Sequence, residues 1–196
     1  MDKISLVQAK ELKPFIQGDL DSLCGIYSSI NAIRLAIYNE KKLTKRQARG
    51  LMEEALFYLG KQRLRLLSVC AYGMSKSRRN KLIYRLFKYI LREWDIQMVL
   101  LHFLYDNSEN LEAEFIDFIR HHLTLGNPIC IKMKGAHNHY SVITGLSSTY
   151  IELFDSDGLN KLTRKSVRIG KDGPNLRHTL LHNCCYAVGI STGEPI

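Results

Sequence analysis

Behind Leu23 the apolar positions Tyr27, Ile30, Ile33 and Ile37 recur near the helical period, while Ala32, Leu35 and Ala36 fill other faces. A helix with so little polar surface belongs in the centre of a fold. Thr44 and Gln47 have capping-box spacing, with Leu43 and Ala48 placed for a hydrophobic staple. Ala48, Leu51, Met52, Ala55, Leu56 and Leu59 then form one stripe that ends before Gly60, predicting a second helix. A third is expected from Ser77 to Trp94, where Leu82, Leu86, Ile90 and Trp94 keep a spacing of four. A fourth is expected from Ser108 to Leu125, using Leu111, Phe115, Phe118, Ile119 and Leu123, with Gly126-Asn127-Pro128 as its stop. Between these two, Ile96 to Leu104 is rich in β-prone residues and could form a strand.

From Pro128 the period changes. Ile129 to Met133, His139 to Gly145, Tyr150 to Phe154, Ser166 to Ile169 and Cys184 to Ile190 are short, partly alternating and separated by Gly, Asn, Asp or Ser. That is the pattern of an antiparallel sheet. Helices first and sheet second give an α+β architecture, with the helical part at about 1–127 and the sheet part at about 128–196. No internal repeat, low-complexity tract or linker divides the chain. Its 196 residues suit a single domain.

Composition adds limits. A hydrophobic share of 45% and a charged share of 24% fit an ordinary soluble protein. Met1 to Lys10 lacks the pattern of a secretory signal, and no apolar stretch approaches the roughly 20 residues that span a bilayer. The expected location is therefore cytoplasmic, with export by a route needing no conventional signal left open. Five cysteines at irregular spacing, with no CxxC pair, point to free thiols and away from thioredoxin-like redox chemistry or a zinc ribbon.

The net charge of +9 is concentrated. Between Lys41 and Arg92, 15 Lys and Arg face only Glu53 and Glu54, a local balance of +13 that leaves −4 for the rest. Such a segment either forms a solvated helical face or docks an acidic partner, nucleic acid included. Docking would weaken with salt and with charge removal at Arg78 and Arg79.

Candidate chemistry begins at Gln17-Gly18-Asp19-Leu20-Asp21-Ser22-Leu23-Cys24-Gly25, where a polar loop turns into the apolar helix. With Asp21 or Ser22 as N-cap, Cys24 lies in the first turn. Free backbone N–H groups and the positive end of the helix dipole there favour thiolate over thiol. The Cys24 N–H can bind a developing oxyanion, Gln17 could supply a second donor, and Gly25 has no side chain to obstruct a substrate. Asp19 and Asp21 oppose this picture. They must face away from the sulfur, or a cation must sit nearer.

A thiolate nucleophile needs a base, and histidine serves near neutral pH. His139 opens the strand His139-Tyr140-Ser141-Val142-Ile143-Thr144-Gly145, and the next strand, Tyr150 to Phe154, ends at Asp155 in a turn. If the two pair as a hairpin through Leu146 to Thr149, His139 and Asp155 come together, and Asp155 can orient the imidazole.

Gln, Cys-Gly at a helix start, His opening a strand with Gly six positions on, and a carboxylate 16 residues after that His resemble the papain-like superfamily of cysteine peptidases. The His-Tyr-Ser-Val-Ile-Thr-Gly run with its Asp-anchored turn is especially similar to the bacteriocin-processing, double-glycine branch. The matched stretches, Gln17 to Asn31 and Lys134 to Gly158, make up about a fifth of the chain. The resemblance implies a papain-like fold with a central nucleophile helix packed on a C-terminal antiparallel sheet. It also implies Cys24 as nucleophile, His139 as general acid–base, Asp155 as orienting residue and Gln17 as oxyanion-hole donor, with no cofactor and no metal. Gln17 stands one residue further from Cys24 than the family's spacing, which calls for a bulge. The Asp155-Ser156-Asp157-Gly158 turn lacks the tryptophan that shields the triad in papain, which implies a more exposed His139. His137 competes as the base, but Gly145 lies too far beyond it to match.

The expected activity is hydrolysis of a peptide or isopeptide bond in a protein or peptide substrate through a thioester, in a bacterial accessory or effector protein. Deamidation and acyl transfer, as in transglutaminases, share that intermediate. A non-catalytic module docking through the basic segment is a further alternative. His178, His182, Cys184 and Cys185 cluster closely enough to suggest a zinc site, but adjacent cysteines on a strand point to opposite faces. No G-x-S-x-G elbow and no phosphate-binding glycine loop is present.

Overall fold

The computed structural model describes residues 3–18, 21–61, 63–105, 110–170 and 177–191, the side chains of 63–65 excepted. The helix behind Leu23 is α2 (Cys24–Ala36), and it is buried on nearly every side, with Ile26, Ile30, Ile33 and Leu35 all at 2% exposure or less. Each such side chain contributes about 1.5–3 kcal/mol by leaving water. Its buried polar residues are partnered: Ser29 Oγ donates to the Gly25 carbonyl at 2.6 Å, and Asn31 exchanges bonds with the Phe15 backbone.

Helix α3 (Lys45–Gly60) starts with the capping box read from Thr44 and Gln47, and it runs through Gly60 rather than ending before it. Helix α5 (Lys76–Trp94) is capped by the Ser75 hydroxyl and closes on Asp95, whose φ of 55° ends the helical winding. Helix α6 (Leu111–Thr124) is capped by the Asn110 side chain, so it is shorter at both ends than Ser108 to Leu125; Ser108 lies outside the described residues. Two helices have no counterpart in the sequence reading, α1 (Val7–Glu11) and α4 (Arg63–Tyr72). Helix α1 buries no residue, so it carries no apolar stripe to detect.

Nine strands form one sheet among the described residues: β1 (Ile4–Ser5), β2 (Met98–His102), β3 (Ile129–Gly135), β4 (His139–Leu146), β5 (Tyr150–Leu153), β6 (Lys161–Thr163), β7 (Val167–Ile169), β8 (His178–Leu180) and β9 (Tyr186–Ile190). The main order is β2-β9-β3-β4-β5-β6; β8 pairs with the far end of β3 and carries β7, while β1 pairs with Gly145 and Leu146 of β4. The mixed helix and antiparallel sheet make the chain α+β. Three details correct the simpler expectation of a helical half packed on a C-terminal antiparallel sheet. Strand β1 comes from the start of the chain, while β2 falls within Ile96 to Leu104, the stretch expected as a strand, and joins the C-terminal strands by pairing with β9. Strands β7 and β8 are parallel, a point that alternation cannot encode because it carries no direction.

The third correction concerns the layers. Residues Cys130, Val142, Tyr186 and Val188 face a core shared with α2, α3 and α5, whereas Ile129, Ile131, Ile143 and Ala187 face a second core shared with α6. Helices therefore cover both faces of the sheet. Successive side chains of a strand point to opposite faces, so every residue of β4 is buried. No described helix is long and apolar enough to cross a membrane.

Candidate active site

The N-terminus of α2 carries the sulfur. Leu23 is the N-cap and makes no side-chain cap, so neither Asp21 nor Ser22 fills that role. Asp21 instead closes the preceding turn, with one carboxylate oxygen accepting from the Gly18 N–H at 3.1 Å and the other from the Leu23 N–H at 3.0 Å. Its charge is thus held by the loop. Asp19 lies outside the described residues. Cys24 becomes the first helical residue, 8% exposed, among N–H groups that have no intrahelical acceptor.

Strand β4 carries the imidazole. Gly135, with φ of 99° and the Arg177 carbonyl 2.5 Å from where a Cβ would stand, turns the chain out of β3 so that it returns as β4. His139 begins that strand and is 7% exposed despite the missing tryptophan, which corrects the expectation of a more open imidazole. The cause is its neighbours, because the ring is bonded to Asp155 and Cys24 in the lining of a cleft.

The hairpin of β4 and β5 carries the carboxylate. Ile143 pairs with Leu153 and Gly145 with Glu152, with a bulge between, and the Phe154 N–H donates to the Val142 carbonyl at 2.8 Å. Asp155 follows directly and is 2% exposed. Its Oδ2 lies 3.1 Å from His139 Nε2, and its Oδ1 accepts from the N–H groups of Asp157 and Leu159. The carboxylate is anchored on one oxygen and presented to the imidazole on the other.

With Nε2 turned to Asp155, Nδ1 of His139 is left for the Cys24 sulfur. Burial pushes the Cys24 thiol up, but hydrogen bonds from His139 and the Tyr140 N–H, followed by the charges of His139 and Arg79, bring it below the ordinary thiol value. Burial pushes His139 down, yet its hydrogen bonds to Asp155 and Cys24 and their charges raise it to about 10. Burial also pushes Asp155 up, and His139, Ser141 and the Asp157 N–H hold it below the usual carboxylate range. The three groups favour thiolate, imidazolium and carboxylate together.

Gln17 reaches the same place. Its N–H donates to the Ser156 carbonyl at 2.9 Å, and its side-chain carbonyl accepts from Ser156 Oγ at 3.5 Å, which leaves Nε2 as the donor on the cleft side. Asn31 of α2 holds the loop ahead of it, since its amide accepts from the Phe15 N–H at 2.9 Å and donates to the Phe15 carbonyl at 3.1 Å. The stretch between Gln17 and Cys24, where a bulge is expected, includes Asp19 and Leu20, which lie outside the described residues. The cleft has a volume of ≈ 390 Å³, and its lining also includes Tyr72 and Gly73 at the end of α4.

His137 lines this cleft but stacks on His178 at 5.5 Å rather than facing Asp155. Gly25 is not part of the lining. A Cβ there would stand 3.3 Å from Met74 Cβ and 3.6 Å from the Tyr140 ring, so its bare backbone admits packing neighbours rather than substrate. His178 belongs to β8, His182 to a 3₁₀ turn and Cys185 to the core beneath α6; the described residues contain no group of three or more His, Cys, Asp or Glu arranged to hold a metal ion.

Two residues near the site carry little local signal. Ser141 stands beside Asp155, one strand period beyond His139. Arg79, charged and set within a basic run, is 1% exposed, so it is not part of a docking surface as its neighbour Arg78 could be. The trace in the sequence is its phase: it lies three residues before Leu82 and four before Ile83, on the buried stripe of α5. No family model matches the chain, and no curated protein or solved structure matches it either.

Proposed function

We propose that the protein is a papain-like thiol hydrolase that cleaves a peptide or isopeptide bond with Cys24, His139 and Asp155. The observation that carries this reading is the buried Asp155–His139 contact at 3.1 Å, placed against the first residue of a helix whose side chain is a thiol. The Cys24 thiolate attacks the carbonyl carbon, and its C=O electrons become an oxyanion held by the Cys24 N–H and Gln17 Nε2. Collapse of that adduct breaks the C–N bond, and the amine leaves with the proton from His139. His139 then takes a proton from water as the oxygen attacks the thioester, releasing the acid and restoring the thiolate and imidazolium. Asp155 stays ionised throughout and keeps Nδ1 aimed at sulfur.

The cleft is lined mainly by polar residues, which offer hydrogen bonds to the main chain of an extended peptide, and a protein or peptide is the substrate class proposed. The test is mass-spectrometric mapping of iodoacetamide labelling at mildly acidic pH, in wild type and in His139→Ala. Fast labelling confined to Cys24 and slowed by the histidine change is expected. Equal, slow labelling of all accessible thiols would overturn the proposal. Hydrolysis of a peptide library should vanish in Cys24→Ala while the circular dichroism spectrum is unchanged.

A further inference from the structure

Beneath the nucleophile helix lies a cation that pairs with no carboxylate among the described residues. Arg79 of α5 is 1% exposed, and its Nη2 donates to Ser28 Oγ at 3.1 Å. Its guanidinium carbon stands 4.3 Å from the centre of the Tyr140 ring and 4.9 Å from that of Tyr186, so it is held between two aromatic faces. Such a sandwich is favourable for a desolvated cation. Among the described residues, Nε and Nη1 meet no hydrogen-bond acceptor. A buried guanidinium is always charged and is costly to leave without a counter-charge.

The groups around it explain what that charge addresses. Ser28 lies one helical turn beyond Cys24 on α2, and Tyr140 follows His139 on β4. The ionisable groups that interact with Arg79 are Tyr186 of β9, Cys130 of β3, Tyr140 of β4, Cys185 ahead of β9 and Cys24 of α2, and burial leaves all but Cys24 raised. Cys24 is the one of the five whose ionised form is favoured. From the other side Cys24 is faced by His139, with Asp21, His137 and Asp157 along the cleft wall.

We propose that Arg79 is a positioning residue, a fixed buried cation that stabilises the Cys24 thiolate while its bond to Ser28 and its contact with Tyr140 lock the nucleophile helix to the strand bearing His139. This rests on the reading of Cys24 as a reactive thiolate and adds to it a permanent positive charge behind that of His139.

The test follows the rate of Cys24 alkylation against pH, which needs no substrate. Arg79→Met keeps the length and fills the space without charge, and its acidic midpoint is expected to rise by about one pH unit. Arg79→Lys should keep the midpoint near that of wild type. A role in packing alone would lower the melting temperature of Arg79→Met and leave its midpoint in place, which would overturn the proposal. A measurement on the unaltered core guards against a variant that does not fold: the Arg79 Nε–H resonance should move at the midpoint of Cys24 and stand still in Cys24→Ser. A resonance that ignores Cys24 in wild type would also overturn it. Failure of Cys24 reading itself has a different signature, a wild-type midpoint at the ordinary thiol value that His139→Ala does not change.

Discussion

The Phe154 N–H donates to the Val142 carbonyl at 2.8 Å, and this bond sets how far Asp155 is carried along β4. It places the carboxylate beside Ser141, one strand period from His139 on the same face, where Oδ2 meets the imidazole. A hairpin register, fixed by a four-residue strand, thus decides the geometry of the candidate triad. The bulge between Ile143 and Gly145 is part of that register.

Asp155→Asn is nearly isosteric and removes the charge. The variant should fold, because the anchoring bonds from Asp157 and Leu159 can still be accepted by an amide oxygen. Alkylation of Cys24 near neutral pH should slow, and peptide hydrolysis should fall by about 10²-fold as the imidazolium loses its partner. Rates unchanged from wild type would remove Asp155 from the mechanism.

The pH dependence follows from opposed shifts. Alkylation should rise as pH climbs through the lowered Cys24 value, and turnover should fall again as His139 loses its proton near about 10. For stability, the raised His139 contributes fully below its unfolded value of 6.5, and that contribution is lost as pH rises to about 10. The lowered Cys24 contributes fully above its unfolded value of 9.0, and that contribution is lost as pH falls through the folded value. Where the windows overlap the two slopes cancel, because the folded pair keeps one proton on nitrogen and the unfolded pair keeps one on sulfur. Between pH 9.0 and about 10 only the histidine slope remains. Urea midpoints should therefore drop over that interval more steeply in wild type than in His139→Ala.

Asn31 separates binding geometry from thiolate chemistry. Asn31→Leu removes two bonds to the Phe15 backbone and leaves that half-buried stretch of loop unpaired, which should cost about 1–3 kcal/mol in chemical unfolding. Gln17 would lose its support, so kcat/KM for peptide hydrolysis should fall while iodoacetamide labelling of Cys24 keeps its rate. Parallel losses in both assays would contradict this division.

Gly25→Ala tests whether the glycine beside the nucleophile serves packing. A methyl group would press on Met74 Cβ while meeting the Tyr140 ring at ordinary contact distance, and overpacking of this kind typically costs about 1–3 kcal/mol. A lowered melting temperature with KM unchanged is expected. An increased KM with unchanged stability would place Gly25 on the substrate path instead.

The sequence by itself determined the longer helices, most of the central strands and the chemistry of the candidate residues. Thr44 and Gln47 specify a helix start with their own hydrogen bonds, and the apolar faces of α2 and α5 are written in residues three and four apart. His139 at a strand start and Asp155 at a turn were legible because a hairpin joins neighbours in the chain. Only the tertiary structure decided what lies far away. Residue patterns do not encode which strands neighbour one another, so the placement of β1 and β2 in the sheet and of α6 on its second face came from packing. Gly25 looked like a gap for substrate until Met74 and Tyr140 filled it, and Arg79 looked like one more surface charge in a basic run. A charged side chain is buried only when distant groups receive it, here Ser28, Tyr140 and Tyr186, and no window of sequence around Arg79 contains them.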